Sequence, residues 1–197
     1  MPLGTAYATL SELKTRLGIT DANDDARATN ALASATSGIN GFCGRQFNDA
    51  GSTSTRLYRP DSAYVCPVDD FSTTTGLSIT VNNAPWTTLQ YELDPLNGVV
   101  DGEPGFPYSR IHAIQGNTFY PTWPGKANVS VTAQWGWAAV PDAVHDACLI
   151  AAEEIFKLRD LPFGVGGYGQ FGVIQVRNNP FVARMLARYQ RYPLLVA

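Results

Sequence analysis

Hydrophobic periodicity changes twice along the chain, and this change constrains the fold more than any other feature. Apolar residues recur at helical spacing before about residue 50 and again after about residue 138. Between these limits apolar and polar residues alternate with period two, which is typical of half-buried strands. The order of helices, strands and helices predicts an α+β fold, a small helical bundle with an inserted antiparallel β module.

These limits also predict two domains. Residues 1–50 and 138–197 form a discontinuous helical domain, and residues 51–137 form an inserted β-rich domain. A chain of 197 residues buries roughly 70% of its unfolded surface, so it needs no disulfide or metal to hold a core. The three cysteines are far apart and form no CxxC pair, so we expect buried, reduced thiols at Cys43, Cys66 and Cys148.

Local signals predict four helices. Thr9 and Glu12 have capping-box spacing, and Gly18 provides a C-terminal stop. Asn179 followed by Pro180 is a helix start. The predicted helices span about 10–17, a stretch ending at Cys43, a stretch from Pro141 to near Arg159, and Phe181 to about Tyr192.

The middle of the chain predicts about six short strands. Four of them alternate clearly between apolar and polar residues, and turn sequences rich in Asn, Pro and Gly separate them. These four strands are predicted over residues 55–58, 77–81, 90–93 and 128–135.

Charge excludes several classes of function. Lys and Arg number 14 against 17 Asp and Glu, so a general nucleic-acid-coating role is excluded. Only 16% of residues are charged, well below the usual ~25%, so there is unusually little charge to cover the surface. Met1 to Leu10 carries no secretory signal and no apolar run reaches about eighteen residues. We therefore expect no membrane span, and either a cytosolic protein or one assembled in a cytosol.

The motifs that suggest catalysis, cofactor binding or metal binding are each incomplete. The acidic turn from Asp21 to Asp25 lacks the glycine and glutamate of a calcium loop. A literal GxGxxG at Gly164–Gly169 has no preceding strand and no following helix, so it predicts a flexible loop rather than a nucleotide site. His145 and Cys148 are three apart, but Cys148 lies on an apolar stripe. We therefore expect no enzyme, no cofactor and no metal.

One asymmetry remains near the end of the chain. No acidic residue follows Asp160, while several arginines do. On a continuous helix one face would carry arginines and another would carry apolar residues. The predicted arginine face holds Arg184, Arg188 and Arg191, and the predicted apolar face holds Phe181, Met185 and Tyr189. A solvated basic face and a helix that docks an acidic partner both fit this pattern.

Several stretches, taken in order, resemble one family. Tyr7 to Ile19 is similar to the opening helix of head–tail connector (adaptor) proteins of long-tailed bacteriophages. An Asp-rich turn, an Ala-rich helix and Gly44-Arg45-Gln46-Phe47 then follow as in that family. Thr132 to Pro141, which contains Trp-Gly-Trp, resembles the family's junction between the β-rich insertion and the next helix.

The resemblance implies a structural virion protein. Such adaptors form a dodecameric ring beneath the portal protein, extend the DNA channel and offer a docking surface to the next neck or tail-completion protein. DNA passes through the lumen without sequence-specific binding. The expected location is the virion neck, after assembly in the host cytoplasm.

The resemblance also assigns roles near the end of the chain. The final helix, with Phe181, Arg184, Met185, Arg188, Tyr189 and Arg191, would engage the portal. The preceding glycine-rich loop, with Gly164, Gly166, Gly167, Gly169 and Gly172, would become ordered on assembly.

Two other classes of function remain open. A β-sandwich module of a phage tail or baseplate could bind a receptor or glycan, with Trp86 and Trp123 stacking on sugars. An intracellular hydrolase would need a nucleophile and base, and the sequence offers no such pair.

Overall fold

The computed structural model describes residues 5–119, 127–157 and 179–191, and these form four α-helices and seven β-strands. The predicted α+β fold class is confirmed. The chain divides into a helical unit, Met1–Phe47 with Val140–Ala197, and a β unit, Asn48–Ala139. The division into a discontinuous helical domain of residues 1–50 and 138–197 and an inserted β-rich domain of residues 51–137 remains a prediction.

Capping residues set the ends of the helices. Thr9 donates its backbone N–H to Glu12 Oε2 at 2.7 Å and accepts the Glu12 N–H at Oγ1, so the predicted capping box is present. Gly18 and Gly44 end the first two helices in the left-handed conformation, with φ of +70° and +64°. The helices are α1 (Leu10–Leu17), α2 (Asp25–Cys43), α3 (Asp142–Lys157) and α4 (Pro180–Leu186).

Small side chains form much of the core of the helical unit. Helix α2 packs on α3, and α1 contacts both. Alanine and glycine at the buried positions leave room for the helix axes to approach closely. The small buried residues are Ala28, Ala31, Ala35 and Gly38 on α2 and Ala147, Ala151 and Ala152 on α3.

The β unit has seven strands in its described part, one more than the sequence indicates. They are β1 (Asp49–Tyr58), β2 (Val65–Phe71), β3 (Ser78–Val81), β4 (Ala84–Trp86), β5 (Tyr91–Asp94), β6 (Tyr108–Ala113) and β7 (Val129–Gly136).

Two of these strands break the pattern that sequence reading relies on. Strand β2 contains Pro67 and two aspartates, and β4 is three residues long with Pro85 in the middle. Tertiary pairing, rather than local propensity, therefore makes these segments strands.

The strands pair in the order β4-β3-β7-β2-β6-β5, and β1 pairs with β7 as well. Pairing is antiparallel except where Phe71 on β2 meets Gly136 on β7. On β7 the odd-numbered residues Val129 to Trp135 are buried, while the even-numbered ones are partly exposed. One side of the sheet therefore forms the core of the unit.

Trp135 lies at the centre of that core. Its ring centroid is 6.0 Å from that of Phe71 and 5.7 Å from that of Tyr58, and the Arg56 guanidinium carbon lies 4.6 Å from it. The indole N–H donates to the backbone oxygen of Ser54 at 2.9 Å. The indole is completely buried, and its N–H has the hydrogen-bond partner that a buried tryptophan usually requires.

Candidate docking surface

The predicted start of the last helix is confirmed. Asn179 Oδ1 accepts the backbone N–H groups of Phe181 at 3.0 Å and Val182 at 3.2 Å, and Pro180 is the first helical residue. The Asn179 side-chain amide also donates to Glu154 on α3. The cap therefore fixes the start of α4 against its neighbouring helix.

The end of the last helix differs from the prediction of about Tyr192. Helix α4 ends at Leu186, and Ala187–Tyr189 tightens into a 3-10 turn. The backbone N–H of Arg191 donates to the Cys43 carbonyl oxygen at 2.9 Å, at the end of α2. This contact leads the chain away from the helix axis, so Arg191 does not share a helical face with Arg184 and Arg188.

The inward side of α4 consists of two residues that the sequence reading missed. Val182 and Leu186, four residues apart, are completely buried where α4 packs on α3. Their i, i+4 spacing was the available signal. Met185 is half-buried, so the predicted apolar face of Phe181, Met185 and Tyr189 is not the face that packs inward.

Three of the predicted docking residues point to solvent. Phe181 is 61% exposed although it is large and apolar, and Arg184 and Arg188 are exposed beside it at helical spacing. These three residues, named here the outer stripe, combine an aromatic ring with two guanidinium groups. Aromatic and arginine side chains are the types that most often dominate binding energy at interfaces.

Tyr189 lies in a chain of aromatic contacts inside the helical unit. Its ring centroid is 5.8 Å from that of Phe47, which lies 5.7 Å from that of Tyr7, and both pairs meet edge to face. The Tyr7 hydroxyl accepts the Phe47 N–H at 2.9 Å and donates to Asn40. Burial raises the pKa of Tyr7 to about 12, so its hydroxyl remains a neutral donor.

His145 and Cys148 are not arranged as base and nucleophile. The His145 ring nitrogens lie 3.3 Å from carboxylate oxygens of Glu12 and Asp146, while Cys148 Sγ lies 3.6 Å from Thr36 Oγ1. Burial raises the pKa of the Cys148 thiol. It likewise raises the pKa values of Cys43 and Cys66 to about 12, so all three thiols are poor nucleophiles.

Two of the remaining predicted features, the glycine-rich loop and Trp123, lie outside the described residues. Trp86 lies among the described residues, and its ring stacks on that of Phe119 with centroids 5.0 Å apart, so Phe119 covers one face of the indole.

Within residues 5–119, 127–157 and 179–191, no three His, Cys, Asp or Glu side chains are grouped to hold a metal. No helix of this part of the chain is long and apolar enough to cross a membrane.

Comparison with known proteins supports the resemblance. Residues 7–65 match the family described as phage gp6-like head-tail connector protein, which confirms the predicted resemblance to head–tail connectors for this part of the chain. No curated protein matches the sequence.

Two solved structures share the fold. One chain of the structure titled "Neck of empty GTA particle computed with C6 symmetry" is 19% identical, with a TM-score of 0.54 over 95% of this chain and 91% of that one. A chain of the structure titled "Virion of native gene transfer agent (GTA) particle" is 17% identical, with a TM-score of 0.52 over the same shares.

Proposed function

We propose that this protein is a structural component of the neck of a phage-like particle, a head-to-tail adaptor that forms a ring beneath the portal protein. The observation that carries the proposal is the head–tail connector match over residues 7–65, within a fold that resembles a neck chain along 95% of its length. Helices α1 and α2 and the segment that follows them lie in the matched region.

The proposed ring has twelve copies, the number that the resemblance implies. Twelve is a multiple of six, so this number is compatible with the sixfold symmetry named for the similar neck. A subunit in such a ring has two lateral and two axial contacts, and the low share of charged residues, 16%, suits a protein with so much surface in contact.

The proposed channel passes DNA without holding it. A DNA-binding surface neutralises phosphates with Lys and Arg, whereas this chain has a net charge of −3. The next neck or tail-completion protein would bind the far side of the ring.

The outer stripe is the proposed contact with the portal. Phe181 would enter an apolar pocket, and Arg184 and Arg188 would pair with carboxylates of the portal. Truncation of the helix is a poor test, because it would also remove Val182 and Leu186 from the core of the helical unit. Substitution of the exposed residues alone avoids this problem.

The test is attachment of purified protein to portal rings, measured by sedimentation and by electron microscopy. The combined variant Phe181→Ser, Arg184→Glu and Arg188→Glu should bind at least 100-fold more weakly, while its thermal unfolding midpoint stays the same. Arg59→Glu, at an exposed arginine of the β unit, is the matched control and should bind normally. Normal attachment of the combined variant would exclude the outer stripe as the portal contact, and failure of the unaltered protein to attach would contradict the proposed function.

A further inference from the structure

Helix α4 carries most of the outer stripe but is too short to hold it in place by itself. It is seven residues long, and isolated helices shorter than about 12–15 residues are marginal in water. The direction in which Phe181 and Arg184 point therefore depends on what fixes α4 to the rest of the helical unit. These contacts decide whether the outer stripe is formed before a partner binds.

Two kinds of contact tie α4 to the neighbouring helices. Val182 and Leu186 are completely buried where α4 packs on α3. Beyond the end of α4, the backbone N–H of Arg191 donates to the Cys43 carbonyl oxygen at 2.9 Å, at the end of α2. Hydrophobic contact is non-directional, so burial of two side chains holds α4 on α3 without fixing the orientation of its first turn. A hydrogen bond at the start of α4 supplies that direction.

Asn179 uses both ends of its side-chain amide at the start of α4. Its Oδ1 accepts the backbone N–H groups of Phe181 at 3.0 Å and Val182 at 3.2 Å, while its Nδ2 donates to Oε1 of Glu154 on α3. A carboxylate only accepts hydrogen bonds, so the nitrogen of the amide must face Glu154. The oxygen of the amide is then left to cap α4. Glu154 thus selects the orientation of Asn179 in which the cap forms.

The bond between Asn179 and Glu154 is of the stronger kind. Its acceptor is a carboxylate, and hydrogen bonds with a charged partner are roughly twice as strong as neutral ones. Both residues are half-buried, which strengthens the bond further relative to one in water. A single side chain of α3 therefore has a large effect on the first turn of α4.

Glu153, the adjacent residue on α3, makes a different set of contacts. Its carboxylate lies 2.5 Å from Nε of Arg16 on α1 and 2.6 Å from Nζ of Lys157 on α3 itself. Two successive glutamates therefore have separate partners, because Glu153 binds α1 and Glu154 binds the cap of α4. Glu153 is also half-buried, so its replacement removes a comparable carboxylate from α3 and leaves the cap of α4 in place.

We propose that Glu154 is a positioning residue of the outer stripe. Through the amide of Asn179 it orients the first turn of α4, so that Phe181 and Arg184 are in place before the portal binds. A preformed surface loses less conformational freedom on binding than a mobile one, and it therefore binds more tightly. This inference rests on the proposed function, since the portal is the partner that the outer stripe is proposed to contact.

The test compares four variants with the unaltered protein. Glu154→Ala removes the acceptor, and Glu153→Ala is the matched control. Asn179→Asp keeps a capping oxygen but sets two carboxylates against each other. Asn179→Asp combined with Glu154→Gln exchanges donor and acceptor, because a glutamine amide can donate to the introduced carboxylate. Hydrogen exchange at the backbone amides of Phe181 and Val182 is measured by NMR on the isolated protein. Attachment to portal rings is measured by sedimentation, and the thermal unfolding midpoint reports the fold.

The expected result separates the two glutamates. Glu154→Ala should accelerate exchange at both amides and weaken attachment to portals, each by about tenfold, which is the scale of one hydrogen bond to a charged group. Glu153→Ala should change either quantity by less than about twofold, because its ion pairs are partly exposed and do not involve α4. Asn179→Asp alone should weaken attachment as Glu154→Ala does, and adding Glu154→Gln should restore it.

Three results would overturn the inference. Equal effects of Glu153→Ala and Glu154→Ala would show that loss of any carboxylate from α3 is sufficient. Unchanged exchange at Phe181 and Val182 in Glu154→Ala would show that the cap forms without Glu154. Failure of the donor and acceptor exchange to recover attachment would show that the hydrogen bond is not responsible. Because exchange is measured without the portal, it tests Glu154 even if the unaltered protein does not attach to portals, a result that would instead contradict the proposed function.

Discussion

The indole N–H of Trp137 donates a hydrogen bond to Oδ2 of Asp70, with 3.1 Å between the two atoms. Both residues are buried, at 3% and 5% exposure, and 67 positions separate them in the chain. A buried carboxylate is costly unless it is hydrogen-bonded, so this bond helps to hold β2 beside the end of β7.

Replacement of Trp137 by phenylalanine removes this donor and retains most of the ring. We expect the free energy of unfolding to fall by about 1–3 kcal/mol, because a buried acceptor loses a bond. Urea denaturation monitored by circular dichroism measures the change. Trp86→Phe, at a half-buried indole of the same unit, is the control and should cost less. Equal losses would show that ring volume, rather than the hydrogen bond, determines stability at Trp137.

Gly136, between the two tryptophans, has a separate requirement. Its φ is +108°, and a Cβ atom there would lie 1.9 Å from the carbonyl oxygen of Asn48. Gly136→Ala should therefore cost more than about 4 kcal/mol or prevent folding of the β unit. The control is Gly102→Ala, where φ is +80°. The added Cβ atom would lie more than 4 Å from every residue other than its chain neighbours, so backbone strain of about 1–2 kcal/mol is the only cost. A mild effect at Gly136, measured by the same denaturation, would contradict the close approach to Asn48.

His145 gives the helical unit a dependence on pH. Partial burial acts to lower the pKa of His145, but hydrogen bonds and charge from Glu12 and Asp146 together raise it above the ordinary 6.5. Hydrogen bonds from Thr9, with a smaller contribution from His145, lower the pKa of Glu12 from 4.5 to about 2. The His145 contribution to stability is thus complete below pH 6.5 and disappears as the pH rises through the raised pKa. The Glu12 contribution is present above pH 4.5 and disappears toward pH 2.

His145→Gln should therefore destabilise the protein at pH 5.5, by less than about 1 kcal/mol because both groups are partly exposed. At pH 9 the variant and the unaltered protein should unfold at the same urea concentration. Glu12→Gln should remove most of this pH-dependent difference. A His145→Gln effect that is constant from pH 5.5 to pH 9 would show that packing, not charge, is responsible.

The three cysteines should be unreactive in the native protein. Since burial raises the pKa of each thiol, a disulfide reagent should modify them at least 100-fold faster in urea than in buffer. Dithiothreitol and EDTA should leave the thermal unfolding midpoint unchanged, because the cysteines are free and no metal group is found in the described residues. A fall of several degrees with either reagent would reveal a disulfide or a metal site.

Local chemistry made some parts of the fold predictable. The capping box of Thr9 and Glu12 and the start of α4 at Asn179 each depend on residues three or fewer positions apart. Strand β7 could be read because one of its sides faces a continuous core. Asp70, in contrast, gains its partner from a distant segment, so the sequence of β2 gives no sign that an aspartate belongs inside.

The candidate docking surface was predictable to the same extent. The arginines and Phe181 stood out through composition, and the predicted start of their helix is confirmed. The predicted end of that helix was wrong, because two contacts with distant residues turn the chain there. Tyr189 contacts Phe47, and the backbone N–H of Arg191 donates to Cys43 at the end of α2. Packing against α3 determines which residues of α4 face inward. The sequence of α4 has apolar residues on several sides, so it does not specify the inward side by itself.

The division of α4 into an inward and an outward side leads to the last prediction. Leu186 is completely buried against neighbouring residues, so Leu186→Ala should lower the free energy of unfolding by about 2–5 kcal/mol through lost contacts and a cavity. Arg184→Ala, two positions earlier on the exposed side, should change it by less than about 0.5 kcal/mol. Thermal and urea denaturation of the two variants measure the difference. A small effect of Leu186→Ala together with a large effect of Arg184→Ala would mean that α4 packs through its arginine side, and the outer stripe could then not be the contact with the portal.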